Sequence, residues 1–268
     1  MTFDETIRSI AYDQHEILYN IMQMHNDGKP FELDFTYSKG AFYGTFNVTT
    51  ITGEKKTVEI PQPKYKCDVA PQQEDTIQID PLGPLPFEDN SIESICFDPP
   101  FVISCGPSMQ TPDYDENGNR VKNNMISRRF ASYYPVAQLT ESYHHWLSEI
   151  YRVLKPNGIA CVKCQKTITG SKALNSPEYL WFLGECMGLD MIDSFMLLAK
   201  ARLISGKVKN QMHSRRFESE FLVFKKNLSK KINYFDFLNE EGMDNLLKGF
   251  KENNISKKRK KELGLCQK

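Results

Sequence analysis

The stretch Ile92-Glu93-Ser94-Ile95-Cys96-Phe97-Asp98-Pro99-Pro100-Phe101 decides which fold the sequence indicates. The apolar run that ends at Phe97 is typical of a strand buried on both faces. Asp98 closes the run, and no strand continues through two prolines, because proline lacks the backbone donor and fixes φ. The pattern predicts a stiff, extended loop at the carboxyl end of a buried strand, where open α/β sheets bind their ligands.

The groups carried by this loop suit one chemical task. An exocyclic amine on a nucleobase is a poor nucleophile, because its lone pair is delocalised into the ring. Asp98 and the Pro99 carbonyl can accept the two amine hydrogens, while Phe101 stacks on the base. The alternative is a strand followed by an ordinary Pro-Pro turn, which four residues alone do not exclude.

Asp98-Pro99-Pro100-Phe101 resembles the Asp/Asn/Ser-Pro-Pro-aromatic signature of amino-group methyltransferases that use S-adenosylmethionine. The resemblance is to the phage and bacterial DNA enzymes that act on adenine N6 or cytosine N4, and it covers roughly Ile7 to Lys226. It implies a class I methyltransferase fold: a Rossmann-like α/β architecture with a seven-stranded, mostly parallel sheet and an antiparallel last strand. It also implies S-adenosylmethionine as cofactor and Asp98, Pro99, Pro100 and Phe101 as the catalytic residues.

Cofactor contacts are expected in the turn after the predicted first strand, Phe31 to Thr36. The turn resembles an Asp-x-Thr-Tyr-x-Lys-Gly version of the cofactor motif, although most such enzymes have a glycine-rich turn and this one has a single glycine. The resemblance implies cofactor contacts from Asp34, Thr36, Tyr37, Ser38 and Gly40. A plain turn is the alternative.

Two further acidic residues close the next predicted strands. Asp68 lies in the second predicted strand, Tyr65 to Val69, at the position where such folds hydrogen-bond the ribose hydroxyls of the cofactor. Asp80 ends the third, Thr76 to Asp80, and is expected to reach the adenine amino group of the cofactor.

The remaining elements follow from hydrophobic periodicity and turn residues. Helices are predicted at residues 5–25, 138–154 and 179–187, and strands at 159–164, 191–198 and 217–224. The unit Tyr151 to Gly158 followed by a strand is widespread in the methyltransferase fold and names no substrate.

Two basic segments are candidates for nucleic-acid binding. No acidic residue lies between Asp193 and Glu218, and a basic stripe of this kind neutralises phosphates. The long polar stretch from Cys105 to Pro135 also carries arginines and is placed to close over a base. The predicted nucleic-acid contacts are Arg128, Arg129, Lys207, Lys209, Arg215 and Arg216. A solvated basic loop and a surface insertion are the alternatives.

Composition indicates a soluble globular protein: 268 residues, 40% hydrophobic, 25% charged and no net charge. No apolar run approaches the roughly 20 residues of a membrane span, and the N-terminus lacks a basic segment followed by an apolar one. The odd number of cysteines, seven, predicts reduced thiols and a cytoplasmic location. Cys161-x-x-Cys164 predicts no metal, because no second ligand pair follows at zinc spacing.

The sequence therefore predicts a methyltransferase catalytic domain at residues 1–226 and a helical, basic C-terminal extension at 227–268. The predicted activity is site-specific methylation of adenine N6 in DNA, since relatives with Asp at the first motif position most often modify adenine. DNA is the expected partner, and no membrane is expected. One alternative is an RNA (tRNA or rRNA) base N-methyltransferase. Such enzymes generally carry a separate RNA-binding domain before the catalytic one, and this alternative is disfavoured because the first predicted strand already begins at Phe31. The other is a non-catalytic nucleic-acid-binding protein that retained the fold.

Overall fold

The computed structural model describes residues 6–101, 113–114, 120–121, 136–169, 172–200, 214 and 216–227. All of these residues lie in one compact unit, Met1–Ser229. The predicted C-terminal extension, apart from Asn227, and most of the polar stretch at 105–135 lie outside the described residues.

The described elements follow one another in an α/β order. They are β1 (Ile10–Ala11), α1 (Gln14–His25), β2 (Leu33–Asp34), β3 (Gly44–Thr49), β4 (Lys55–Ile60), β5 (Tyr65–Asp68), β6 (Ile77–Gln78), β7 (Ile92–Phe97), β8 (Asp113–Tyr114), β9 (Arg120–Val121), α2 (Val136–Val153), β10 (Leu154–Cys164), β11 (Thr167–Thr169), β12 (Lys172–Leu174), α3 (Ser176–Met187), β13 (Leu189–Leu198) and β14 (Glu218–Lys226). None of the described helices combines the length and the apolar character that crossing a bilayer demands.

Eight of these strands form one sheet, in the order β1-β13-β14-β10-β7-β2-β5-β6. Strand β14 runs antiparallel to both of its neighbours, and every other pair in this sheet is parallel. Without the two-residue edge strand β1, the sheet is the predicted seven-stranded, mostly parallel one with an antiparallel last strand. The class I methyltransferase architecture is therefore confirmed, with β1 as an addition.

The strand order reverses between β2 and β7. From β2 the chain proceeds outward to β5 and β6, and then returns to place β7 on the other side of β2. The chain therefore leaves β2 and β7 toward opposite sides, and in open α/β sheets this is the point, at the carboxyl ends of the two strands, where the ligand crevice is expected.

Helices cover the two faces of the sheet unequally. On one face, α2 buries Leu139, Tyr143, Leu147 and Ile150 in a cluster with residues of β7, β10 and β14, and α3 packs beside it. On the other face, α1 and the β3–β4 hairpin share a second cluster with Cys161 and the side chains around it. The helix predicted at 138–154 is confirmed as α2, which runs from Val136 to Val153.

The predicted helix at 5–25 is wrong in its first part. Helix α1 begins at Gln14, because the side chain of Asp13 accepts a hydrogen bond from the backbone N–H of His15 (2.9 Å) and caps the helix. Ile10 and Ala11 instead pair in parallel with Met196 and Leu197. The apolar residues before the cap serve the edge of the sheet rather than a helix face.

A β-hairpin takes the place of a crossover helix between β2 and β5. Parallel neighbours such as β2 and β5 are usually joined through a helix, yet the chain here forms the antiparallel pair β3–β4. In β4, Val58 and Ile60 are buried while Lys55, Thr57 and Glu59 are exposed. The hairpin contacts α1, so these two elements together cover this part of the sheet.

The strand predicted at 159–164 is longer in the structure. Strand β10 begins at Leu154, and its register against β7 shifts between Leu154 and Ile159. Asn157 has a positive φ of 65° in this bulge. At Gly158 a Cβ would lie 2.8 Å from the Glu93 carbonyl oxygen and 2.9 Å from the Lys155 carbonyl oxygen. Gly158 therefore allows the backbones of β7 and β10 to approach.

We expect Gly158→Ala to lower the free energy of unfolding by about 1–3 kcal/mol, because both obstructing atoms belong to backbone that cannot rotate away. The free energies of wild type and variant would be compared by chemical denaturation. Asn157→Gly is the matched control, since glycine accepts a positive φ, and it should change stability by less than about 1 kcal/mol. Equal midpoints for wild type and Gly158→Ala would contradict the close approach.

Candidate functional site

Asp34 lies beneath the crevice, at the end of β2. Its side chain is buried, and its Oδ1 accepts hydrogen bonds from the backbone N–H (2.8 Å) and the hydroxyl (3.2 Å) of Thr36. Its Oδ2 accepts from the Tyr43 hydroxyl (2.7 Å). Burial raises the pKa of Asp34 to about 7; the hydrogen bonds from Tyr43 and Thr36 oppose that rise, and the charge of Asp98 adds to it. The predicted cofactor residue Asp34 thus supports the turn from below.

Thr36 connects the loops on the two sides of the crevice. Its hydroxyl donates to Asp34 Oδ1 and accepts a hydrogen bond from the backbone N–H of Asp98 (2.8 Å). One side chain therefore fixes the start of the Asp98 loop relative to the end of β2.

The turn from Tyr37 to Gly40 is anchored to its surroundings through Tyr37. Tyr37 is buried, its N–H donates to the Cys67 carbonyl (3.1 Å), and its hydroxyl donates to Gln62 (2.6 Å). Gly40 has a φ of +69°, and a Cβ there would lie 2.4 Å from the Tyr37 hydroxyl oxygen. The single glycine of this turn is needed to pack Tyr37, whatever it does toward a ligand.

Asp68 and Ser38 join the ends of β5 and β2. Asp68 Oδ2 accepts from the backbone N–H of Ser38 (2.8 Å), and Oδ1 accepts from that of Ala70 (2.8 Å). Ser38 is exposed and has a positive φ of 50°. Asp80 lies two residues after β6, is exposed, and accepts from the N–H of Leu82 (2.9 Å). The seven predicted cofactor residues thus all lie at or just beyond the carboxyl ends of three adjacent strands.

Asp98 follows β7 directly and forms an ion pair that the sequence analysis missed. Its Oδ2 lies 3.0 Å from Nζ of Lys163, near the end of β10. Pro99 is buried, while Pro100 and Phe101 are half-buried. Val162 is in register with Phe97 on the neighbouring strand, so Lys163 follows Val162 as Asp98 follows Phe97. Only this pairing register would have revealed the partner.

Aromatic rings pack beneath the motif on the face of the sheet that α2 covers. The rings of Phe35 and Phe97 are stacked with centroids 4.4 Å apart, and Trp146 of α2 lies 5.1 Å from Phe35. These two phenylalanines flank the acidic residues in sequence, since Phe35 follows Asp34 and Phe97 precedes Asp98. Their stacking stabilises the ends of β2 and β7, which carry the two acidic residues.

The predicted nucleic-acid contacts are mostly outside the described residues. Arg128, Arg129, Lys207, Lys209 and Arg215 lie there, and Arg216 is described. Arg216 is half-buried, and its guanidinium lies 3.7 Å from the Glu218 carboxylate. Within the described part of this set, the charge of Arg216 is therefore partly neutralised by Glu218.

The cysteines of β7 and β10 are buried free thiols. Cys96 and Cys161 face each other across the two strands, and a hydrogen bond from Cys161 together with burial raises the pKa of Cys96. Within the part of the chain that the structure describes, no three His, Cys, Asp or Glu side chains are grouped to hold a metal ion.

No protein-family model and no curated protein matches this sequence. Many solved structures are similar to this chain in part, and three of them follow. One, provisionally named a DNA modification methylase, from Thermus thermophilus, shares 11% identity with a TM-score of 0.32, over 53% of this chain and 47% of that chain. A SAM-dependent methyltransferase from Methanosarcina mazei shares 11% identity with a TM-score of 0.31, over 59% and 71%.

The third, a protein from Bordetella parapertussis provisionally named as exported, shares 10% identity with a TM-score of 0.38, over 80% of this chain and 67% of that chain. This chain thus spans less than half of the Thermus protein that it matches. Scores this low carry no argument about function, and the fold assignment rests on the strand order of this chain.

The pKa of Asp34, raised from 3.8 to about 7, predicts a pH-dependent stability. A raised folded-state pKa favours folding when the carboxyl is protonated, so this stabilisation is complete below about pH 4 and is lost as the pH rises through about 7. We expect wild type to lose stability relative to Asp34→Asn over that window, by at most about 4 kcal/mol. Denaturation at a series of pH values measures the difference.

Tyr43→Phe is a companion variant, because it removes a hydrogen bond that holds the pKa of Asp34 down. The upper end of the pH window over which stability falls should therefore move upward in this variant, while its start at about pH 4, which the unfolded chain sets, should stay the same. Parallel curves for wild type and Asp34→Asn would contradict the assignment.

Proposed function

We propose that this chain is an S-adenosylmethionine-dependent methyltransferase that modifies the exocyclic N6 amine of adenine in DNA. The observation that carries the proposal is the placement of Asp98, at the end of the central strand and beside the crevice where the strand order reverses. Its Oδ2 is paired with Lys163, and no described residue hydrogen-bonds to its Oδ1. In this proposal Oδ1 is the acceptor that meets the substrate amine.

The chemistry asked of the loop is positioning. Asp98 Oδ1 and the Pro99 carbonyl accept the two hydrogens of the amine and turn its lone pair toward the methyl group. Methyl transfer is an in-line displacement, so correct placement supplies most of the catalysis. A separate strong base is unnecessary, because the methylated, cationic amine loses a proton readily to water.

Support for the cofactor comes from the chemistry of the strand ends. S-adenosylmethionine presents ribose hydroxyls, two amino groups and a sulfonium, which are hydrogen-bond donors or positive charges. Asp68 and Asp80 offer carboxylate oxygens at the ends of β5 and β6, each oxygen having a second lone pair. In this assignment Asp68 holds the ribose and Asp80 the adenine amine, while Thr36, Tyr37, Ser38 and Gly40 shape the turn beside the methionine portion. The bound cofactor supplies the electrophilic methyl group.

The assignment of DNA as substrate and adenine as target follows from the energetics of base binding. A base in a duplex must be flipped out of the stack to reach Asp98, at a cost of a few kcal/mol. Stacking on Phe101 offsets about 1–3 kcal/mol of that cost, and a purine offers the ring more area than a pyrimidine. Arg128, Arg129, Lys207, Lys209, Arg215 and Arg216 are assigned to the phosphates.

Nucleoside mass spectrometry of DNA treated with the protein and S-adenosylmethionine tests the proposal. We expect N6-methyladenine from wild type and no more than a residual trace from Asp98→Ala, whose cofactor affinity by calorimetry should be nearly unchanged. N4-methylcytosine alone would overturn the base assignment and leave the Asp98 mechanism standing. Methylation of RNA but not DNA would favour an RNA enzyme, and cofactor binding by a wild type without turnover would indicate a non-catalytic protein.

Salt dependence of DNA binding tests the basic segment. Replacing Lys207, Lys209, Arg215 and Arg216 by glutamine should weaken binding and flatten the plot of log K against log salt, by roughly one unit for each phosphate that is no longer neutralised. Arg216 should contribute least, because it is shared with Glu218. Glutamine at the exposed Lys29 and Lys55 is the control and should leave the slope unchanged. The same slope for all three proteins would assign the segment to solvent.

A further inference from the structure

A lysine near the end of β10 is more enclosed than its charge alone would favour. Only 13% of the Lys163 side chain is exposed, and lysine is almost never buried unless it is paired. Its partner is Asp98, the residue assigned to the substrate amine. We propose that Lys163 is a positioning residue that fixes the Asp98 carboxylate for methyl transfer; this inference rests on the function proposed above.

Several elements hold Lys163 in place. Its Nζ donates to Asp98 Oδ2 (3.0 Å) and to Oε1 of Gln14 (3.2 Å), the first residue of α1. The same Nζ lies 5.1 Å from the ring centroid of Phe42 and 5.6 Å from that of Phe221. Cation–π contacts on two rings and two hydrogen bonds leave the ammonium little freedom to swing. Lys163 is therefore a fixed donor.

A fixed donor determines which oxygen of Asp98 meets the substrate. The backbone N–H of Asp98 is held by the Thr36 hydroxyl (2.8 Å), and Oδ2 is held by Lys163. These contacts set both the position of the residue and the rotation of its carboxylate, so Oδ1 keeps one direction. Without Lys163 the carboxylate, 27% exposed, is free to rotate, and the amine loses its aligned acceptor.

The charge of Lys163 has a second consequence when a base covers the site. A bound base removes water from Asp98, and a carboxylate that loses its solvent without a partner is strongly disfavoured. The ammonium is already in contact and takes over from that water. The ion pair therefore lowers the desolvation cost that the Asp98 carboxylate incurs when a base covers it.

A purely structural role for the ion pair is the competing explanation, and a second pair on the same strands gives the comparison. Lys155 of β10 lies 3.0 Å from Glu93 of β7, near the opposite ends of these strands, with exposed fractions of 42% and 56%. The backbones are also paired directly from Ile159 to Val162. Strand pairing therefore does not need Lys163, and its enclosure beside the crevice indicates a role in the site.

Steady-state kinetics on DNA, with cofactor affinity by calorimetry, test the proposal. We expect Lys163→Met to lower kcat by about 10- to 100-fold, with the KM for DNA and the Kd for S-adenosylmethionine within about twofold of wild type, because only alignment is lost. Lys163→Arg keeps the charge and the donor and should recover much of the rate. Lys155→Met is the matched control and should have the wild-type kcat.

The double variant Asp98→Ala/Lys163→Met tests whether Lys163 acts through Asp98. Its residual rate should equal that of Asp98→Ala alone, because a positioning residue has nothing left to position. A further fall in rate would overturn the proposal, as would a wild-type kcat in Lys163→Met. A loss of cofactor binding and thermal stability in Lys163→Met that Lys163→Arg does not restore would assign the residue to the fold.

Failure of the proposed function gives a different result. A wild type that transfers methyl to no DNA or RNA base removes the function and the inference together, whereas an active wild type with an equally active Lys163→Met removes the inference alone. Formation of N4-methylcytosine leaves the role of Lys163 intact, because the amine of either base meets the same carboxylate.

Discussion

The hydrogen bond from the Asp98 N–H to the Thr36 hydroxyl is the contact on which the candidate site depends. It crosses the point where the strand order reverses, and it joins two loops that the topology would otherwise let diverge. Thr36 is in turn held by the buried carboxyl of Asp34, which Tyr43 also contacts. The position of the Asp98 loop is thus set by a series of hydrogen-bonded side chains that begins in the core. These hydrogen bonds fix the end of β2 and the Asp98 loop relative to each other.

The two carboxyl groups at the ends of β2 and β7, those of Asp34 and Asp98, have different surroundings. Asp34 is buried among neutral donors, and burial raises its pKa to about 7. Asp98 stands at the edge of the crevice with a lysine ammonium at 3.0 Å. The charge of Asp98 adds to the rise in the pKa of Asp34, so Asp34 more readily gives up its own charge. Asp34 therefore loses part of its charge at neutral pH, beneath the ion pair of Asp98 and Lys163.

The sequence predicted what local patterns encode. The buried strand β7, its proline stop and helix α2 each have a short-range signature, and each is confirmed, whereas the antiparallel direction of β14 was implied by the family resemblance. The two-residue β1 and the Lys163–Asp98 pair exist only through pairing between distant segments, which no local pattern contains. The β3–β4 hairpin is different, because β4 alternates buried and exposed residues. Its signal was present, and the turn at Thr50 to Gly53 supports it.

That hairpin changes how a ligand would be held. A crossover helix after β2 would present free N–H groups at its first turn, a ready site for negative charge. Here the N–H groups of Tyr37, Ser38 and Gly40 are bonded to Cys67, Asp68 and Tyr37 respectively. The turn therefore offers few donors, while the strand ends offer carboxylates. A crevice rich in acceptors favours a ligand that is itself cationic and rich in donors, and it disfavours the phosphates that other nucleotide-binding sheets take. The structure of this turn, which has a single glycine and few free N–H groups, is thus consistent with a sulfonium nucleoside as the ligand.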